Sequence, residues 1–253
     1  MRSDEVVLIT GGTGKLGRSV LRGFSARGGV VAFTTRDAAA AEPLREECLS
    51  WGASAAHVFE ADLRADGVPT GLASALEARG VLPTVLINNA RSVETLQAGA
   101  DGLMPSSHWL GEFQLGVVAA YALTMACVRL PRAPHSVINV ASMYGVTAAN
   151  RRLYDRPDVE SPINYGVVKA ALIHLTKELA VRLAPAIRVN AISYGGVRGR
   201  ASEAFEARYA ALCPAGRMLT DDDVFGPVAF LSGPDSSAMT GHNLVVDGGW
   251  TIW

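Results

Sequence analysis

One junction near the start of the chain constrains the fold most. Val6-Val-Leu-Ile9 is an apolar run of strand length, and Thr10-Gly-Gly-Thr-Gly-Lys-Leu-Gly17 follows it directly. Leu16, Val20, Leu21 and Phe24 then recur at helical spacing until Gly28-Gly29 ends the pattern. A strand apolar on both sides needs cover on both faces, so a strand that turns through glycines straight into a helix points to a layered α/β fold. The junction also carries chemistry. Gly12, Gly14 and Gly17 have the Gly-x-Gly-x-x-Gly spacing. In that setting bare backbone approaches a pyrophosphate, and the helix N-terminus offers N–H groups and its positive dipole end. A nucleoside triphosphate loop is excluded. Ile9 stands where its first glycine belongs, and Leu16 where a Ser or Thr would hold magnesium.

The rest of the chain repeats the alternation. Strands are expected at Val30–Thr34, His57–Asp62, Val85–Asn88, His135–Val140, Ile187–Ile192 and Asn243–Asp247. Helices are expected over 38–51, 70–79, 108–128, 165–183, 200–212 and from Thr220 through Phe230. Ser106 and Ser107 are candidate caps for the long helix, which contains Gly111 and Gly116, and Thr220 for the last helix. Asp221, Asp222 and Asp223 read as a helix first turn, not as a metal cluster. The pattern predicts one Rossmann-like doubly wound α/β domain over residues 1–253, with a predominantly parallel seven-stranded sheet. Ligands are then expected at the carboxyl ends of the strands, where Gly14, Asn88, Ser142 and the loop after Ile192 fall.

The end of the second strand bears on the cofactor. An acidic residue there favours NAD and an arginine favours NADP. The sequence offers Thr34-Thr-Arg-Asp37. Arg36 and Lys15 can both face a 2′-phosphate, so NADP(H) is the expected cofactor and NAD(H) the alternative.

A second cluster points to proton transfer. In a helix over 165–183, Tyr165 and Lys169 lie one turn apart on one face. A cation near a phenol favours the phenolate and fits it for acid/base work. The hydroxyl of Ser142, in Asn139-Val-Ala-Ser-Met-Tyr-Gly145, is a candidate partner for the same substrate oxygen.

Charge and composition remove other classes. The 23 Lys and Arg balance 24 Asp and Glu, which gives no sign of a nucleic-acid or membrane surface. Three scattered cysteines and five dispersed histidines suggest buried thiols in a reducing compartment and no metal site. Met1-Arg-Ser-Asp-Glu5 leads into a short strand without a secretory pattern, and no uninterrupted apolar run reaches membrane-spanning length. A cytoplasmic protein with a small-molecule substrate is expected.

Taken in order, several motifs resemble the short-chain dehydrogenase/reductase family across essentially the whole chain. They are Thr10–Gly17, Asp62-Leu63, Asn88-Asn-Ala90, Ser142, Tyr165-x-x-x-Lys169, Ile187-Arg-Val-Asn190 and Thr240–Gly249. The resemblance implies that Tyr165 exchanges the proton, that Ser142 holds the substrate oxygen, and that Lys169 binds the nicotinamide ribose. It implies cofactor contacts from Gly11, Thr13, Gly14, Lys15, Leu16 and Gly17, then Arg36, Asp62, Leu63, Asn88 and Ala90, and finally Gly195 and Val197. Family members commonly form tetramers through the long helix and helix 165–183, which implies a homotetramer or homodimer.

The chain departs from the family pattern in four places. Gly116 replaces an Asn that supports a helix bend and a relay water. Arg91 replaces the glycine of Asn-Asn-Ala-Gly, Tyr194-Gly195 replaces Pro-Gly, and Gly199 stands where a Thr meets the carboxamide. The segment Asn150–Glu160 is longer than usual. Similar segments occur in relatives from bacterial surface-sugar and nonulosonic-acid pathways, which implies a biosynthetic role. Arg151, Arg152, Arg156, Arg198 and Arg200, with Tyr144 and Tyr194, are the candidate substrate residues. The expected function is hydroxyl/carbonyl interconversion on a small anionic or sugar-like substrate. A cofactor-binding scaffold or regulator, and an epimerase or dehydratase using the nicotinamide transiently, are the alternatives.

Overall fold

The computed structural model describes residues 5–99, 101–199 and 201–253. Seven strands form one sheet: β1 (Val6–Ile9), β2 (Val30–Thr35), β3 (Ala55–Glu60), β4 (Val85–Asn88), β5 (Ser136–Val140), β6 (Arg188–Tyr194) and β7 (Asn243–Val246). Their order is β3-β2-β1-β4-β5-β6-β7, and every neighbouring pair is parallel. The chain leaves β1 toward one edge and returns at β4 to build toward the other. The carboxyl ends of β1 and β4 therefore flank the crevice where a doubly wound sheet binds ligands.

Period-two alternation divides the core. Val7, Ile9, Val31, Phe33, Ile87 and Ile138 face one side. They are covered by α1 (Lys15–Ser25), α2 (Ala38–Ser50) and α9 (Asp222–Ser232), which contribute Leu21, Leu44 and Val228. Leu8, Ala32, Leu86, Val137 and Val189 face the other side. Their cover is α3 (Val68–Ala78), α5 (Ala119–Val128) and α7 (Ile163–Leu183), through Leu76, Leu123 and Leu179. The remaining helices are α4 (Ser106–Phe113), α6 (Pro157–Glu160) and α8 (Glu203–Leu212).

Buried amides pin the central elements together. Asn88 Nδ2 donates to Asn139 Oδ1 (2.8 Å) and Thr124 Oγ1 (3.1 Å), and Asn139 Nδ2 donates to Thr176 Oγ1 (2.9 Å). This chain joins β4, β5, α5 and α7, and buried polar groups paired in this way fix relative positions.

Several boundaries differ from expectation. β3 starts and ends earlier, so Asp62 lies beyond the strand. Ser106 and Ser107 lie inside the long helix, and the cap position is Pro105, with no side-chain bond. Thr220 does not cap α9. Instead Asp223 Oδ2 accepts from the Thr220 amide (2.7 Å) and hydroxyl (2.9 Å). The helical stretch Ser106–Val128 is, by length and mean hydropathy, long and apolar enough to cross a membrane, although Glu112 and Gln114 interrupt its apolar run. Ala119, Leu123 and Cys127 are buried in the sheet-packing core, which gives its apolar content a reason.

Candidate active site

A cleft of about 1670 Å³ opens along the carboxyl ends of the strands. Its floor is the glycine turn between β1 and α1. A Cβ on Gly12 would stand 2.5 Å from Phe33 Cβ, and one on Gly17 would stand 2.5 Å from the Gly11 carbonyl oxygen. Only glycine permits that approach of helix to strand. Residues distant in sequence hold the turn. Thr34 Oγ1 accepts from the Gly11 amide (3.1 Å), and Asn89 Nδ2 donates to the carbonyls of Thr10 (2.9 Å) and Gly11 (3.2 Å). Thr10 Oγ1 accepts from the Asn89 and Ala90 amides, both at 2.9 Å. Gly14 caps α1 without a side chain, so the first-turn N–H groups have no side-chain cap. Gly11, Thr13, Gly14, Lys15 and Leu16 all line the cleft. Bare backbone at an uncapped helix N-terminus fits a dinucleotide pyrophosphate.

Beyond the carboxyl ends of β2 and β3 the cleft is lined by Arg64 and by Arg36, Asp62 and Leu63, the residues expected near the adenosine. The two cations expected to share one phosphate go to separate carboxylates. Lys15 Nζ lies 3.0 Å from Asp221 Oδ1, and Arg36 Nη1 donates to Glu94 Oε1 at 2.7 Å. Ala90, Gly195 and Val197 line the same cleft, whereas Asn88 is set behind it in a small cavity.

The three candidate catalytic residues meet in this cleft. Ser142 follows β5 and is buried, and Tyr165 and Lys169 share the first turns of α7. Ser142 Oγ accepts from the Tyr144 amide at 3.2 Å, which leaves its hydroxyl hydrogen to donate into the cleft. Lys169 Nζ donates to the Val140 carbonyl at 2.7 Å and stands 5.7 Å from the Tyr165 ring centroid. Burial pushes the Lys169 pKa down, against the upward pull of Tyr165 and Glu112. Arg91, the family-departing residue, places its Cζ 5.2 Å from the centroid of the same ring.

Gly116 lies in a π-helical segment, Gln114–Val118, between α4 and α5. The helix thus departs from α geometry at this position with a glycine in place of the family's Asn. A Cβ on Gly116 would stand 2.5 Å from Val168 Cγ1 on α7, the helix that carries Tyr165 and Lys169. Gly116→Asn is expected to destabilise the fold by about 1–3 kcal/mol through overpacking. Adding Val168→Ala should recover much of that loss, as thermal unfolding of the two variants would show. Beside Gly116 lies a cavity of about 10 Å³ lined also by Asn88 and Lys169, room for about one water. Asn88 Oδ1 is buried there without a hydrogen-bond partner in the structure.

The outer cleft differs from expectation. Tyr194 lines the cleft as expected but is buried, and its hydroxyl is turned into the core, donating to the Val224 carbonyl at 2.6 Å. Arg198 pairs with Glu206 and Arg156 with Glu160, and Arg152 is exposed; none of the three lines the cleft. Arg151 lines it but is engaged by Asp158 at 2.7 Å. Arg200 lies outside the described residues. Arg151, Arg156 and Arg198 thus go to nearby carboxylates, because Asn150–Glu160 and α8 supply acids of their own. Tyr144 does face the cleft, and its hydroxyl meets that of Tyr154 at 2.6 Å. Burial pushes the Tyr144 pKa up and keeps the pair protonated at neutral pH. Phe205 and Tyr209 complete this wall, and Tyr209 stacks on Trp250 at 4.4 Å.

The family model described as enoyl-(acyl carrier protein) reductase matches residues 14–251. The chain belongs to the short-chain dehydrogenase/reductase family. As a member it is an NAD(P)-dependent oxidoreductase. It is 31% identical to an uncharacterized short-chain type dehydrogenase/reductase of Sinorhizobium fredii, over 99% of this chain and 44% of that protein's length. It is also 31% identical to a probable galactose dehydrogenase of Rhizobium meliloti, over 97% of this chain and 94% of that one. A Leptospira borgpetersenii short-chain dehydrogenase with bound NAD+ superposes with a TM-score of 0.82 at 29% identity, covering 98% and 93% of the two chains. The Pseudomonas aeruginosa RhlG/NADP complex gives a TM-score of 0.84 at 27% identity, covering 98% and 96%. Dehydrogenase/reductases similar to this one therefore bind either dinucleotide.

Proposed function

We propose that this protein is an NADP-dependent oxidoreductase that interconverts a hydroxyl and a carbonyl on a small polar substrate, with Tyr165 as the acid/base. The observation that carries this reading is the shared cleft of Ser142, Tyr165 and Lys169 with the glycine turn. When bound, the nicotinamide supplies or accepts the hydride. Ser142 donates its hydroxyl hydrogen to the substrate oxygen, and Tyr165 gives that oxygen a proton or takes one from it. Lys169 holds the nicotinamide ribose and stabilises the Tyr165 phenolate. The cavity between Asn88, Gly116 and Lys169 suits one water that replenishes the proton.

The substrate wall favours a sugar-like molecule with an anionic group. The Tyr144–Tyr154 hydroxyl pair suits substrate hydroxyls, and the relative described as a probable galactose dehydrogenase supports a sugar. Arg91 supplies the anion site. Lys15, Arg36, Arg64, Arg151 and Arg208 line the cleft and are each engaged by a carboxylate. Arg91 has no carboxylate partner among the described residues and rests on the Tyr165 ring. Arg91→Ala is expected to raise KM for a carboxylate-bearing carbonyl substrate about tenfold or more, and to leave its neutral methyl ester unaffected.

Fluorescence titration with NADPH and NADH, followed by a screen of sugar and oxo-acid carbonyls, tests the whole reading. NADPH is expected to bind more tightly. Tighter NADH binding, or no turnover of any carbonyl, overturns it. Self-association through the α4, α5 and α7 faces is part of the proposal. Leu110, Tyr121, Ile163 and Val167 are exposed there, which supports a homodimer or homotetramer measurable by native mass spectrometry. Three free, buried cysteines fit a cytoplasmic protein.

A further inference from the structure

Three residues from beyond the carboxyl ends of β2, β3 and β4 converge at the end of the cleft proposed above for the cofactor's adenosine. Arg36 follows β2, Arg64 follows β3, and Glu94 begins a 3-10 turn (Glu94–Leu96) beyond β4. Glu94 Oε1 accepts from Arg36 Nη1 at 2.7 Å, and Glu94 Oε2 accepts from Arg64 Nη1 at 2.8 Å. One carboxylate thus bridges two guanidinium groups. The far edge of Arg64 is fixed separately, with Nη2 to Asp62 Oδ2 at 2.8 Å and Nε to Asp62 Oδ1 at 3.0 Å. The other acids nearby are committed to the start of α2. Asp37 Oδ1 accepts from the Ala40 amide, and Glu60 Oε2 accepts from the Ala38 amide. The Glu94 carboxylate bonds no helix-terminal amide, only the two guanidinium groups, and it is exposed. Hydrogen bonds from Arg36 and then Arg64 hold its carboxyl below the usual range, so it is anionic at neutral pH.

A phosphate monoester presents several charged oxygens and takes guanidinium donors as a carboxylate does. We propose that Glu94 holds the place of the cofactor's 2′-phosphate, which must displace it from Arg36 and Arg64, so that Glu94 sets how strongly the enzyme discriminates between phosphorylated and unphosphorylated dinucleotides. Arg36 and Arg64 are then joint phosphate ligands, and Glu94 is their resident competitor. The inference rests on the NADP reading above and adds the residue that weakens that preference. An unphosphorylated ribose leaves the bridge in place, so NADH gains nothing from removal of Glu94.

Calorimetric titration of the full chain with adenosine 2′,5′-bisphosphate and with 5′-AMP isolates this end of the cofactor. NADPH and NADH serve as the complete ligands. Glu94→Gln is expected to tighten the bisphosphate and NADPH about tenfold, the scale of two exposed ion pairs, and to leave 5′-AMP and NADH within about twofold. Arg64→Met is expected to weaken the bisphosphate and not 5′-AMP. An unchanged bisphosphate-to-AMP ratio in Glu94→Gln overturns the proposal. So does weaker bisphosphate binding, which makes Glu94 a support for the arginines, or weaker 5′-AMP binding, which makes it a ribose ligand. Glu94→Ala repeats the test without the amide and must agree in direction. The preference of the unaltered protein between NADPH and NADH tests the cofactor reading separately, so the two can fail independently.

Discussion

Replacing Tyr165 with Phe is expected to slow substrate turnover by about 10²- to 10⁴-fold, the range a positioned general acid/base contributes. The change removes one oxygen and keeps the ring. Arg91 rests 5.2 Å from that ring's centroid and Lys169 5.7 Å from it, so both packing contacts survive the substitution. Thermal stability and NADPH affinity should therefore stay close to those of the unaltered protein while kcat collapses. Stopped-flow measurement of NADPH oxidation separates the two effects. Turnover within about threefold of the parent, where a lost acid/base predicts at least 10², would place the proton transfer elsewhere.

Ser142→Ala should cost about 10²- to 10³-fold in kcat, comparable to the loss of one oxyanion donor. A structural contribution accompanies it. Ser142 Oγ accepts from the Tyr144 amide at the start of the 3-10 turn Met143–Gly145, so alanine also removes a cap, worth about 0.5–2 kcal/mol of stability. The two losses are separable. Chemical denaturation reads the cap, and pre-steady-state hydride transfer reads the donor. Ser142→Thr keeps the hydroxyl and should restore the cap first, because the added methyl enters a buried position. A kcat loss no larger than the stability change explains would remove Ser142 from the chemistry.

Legibility in the sequence followed the range of the interaction. The glycine turn, the Tyr165–Lys169 pair and the strand alternation are set by neighbours within about one helical turn or one strand, so periodicity and steric exclusion reveal them. The strands behaved this way: β1 and β4 have the expected ends, because short apolar runs bounded by turn residues leave little choice of register. The π segment at Gly116 was not legible, nor was the close approach of Gly116 to Val168 on α7, 52 positions away in the chain.

Charged side chains were the least readable. The sequence marks Arg36 as a cation near a strand end, and not Arg64. Their partner, Glu94, is 58 residues from one and 30 from the other, and only the parallel order β3-β2-β1-β4 brings the three together. Tyr194, the last residue of β6, does line the cleft, yet α9 packs behind it and the Val224 carbonyl takes its hydroxyl. The sequence by itself determined the layered α/β class, the glycine turn and the one-turn spacing of Tyr165 and Lys169, because those depend on spacing along one element. Tertiary structure alone decided which arginines pair with a carboxylate, which hydroxyls face the cleft and which carboxylate bridges Arg36 and Arg64. Long, flexible charged groups pair with whichever opposite charge the fold brings within reach, and that choice leaves no local trace in the chain.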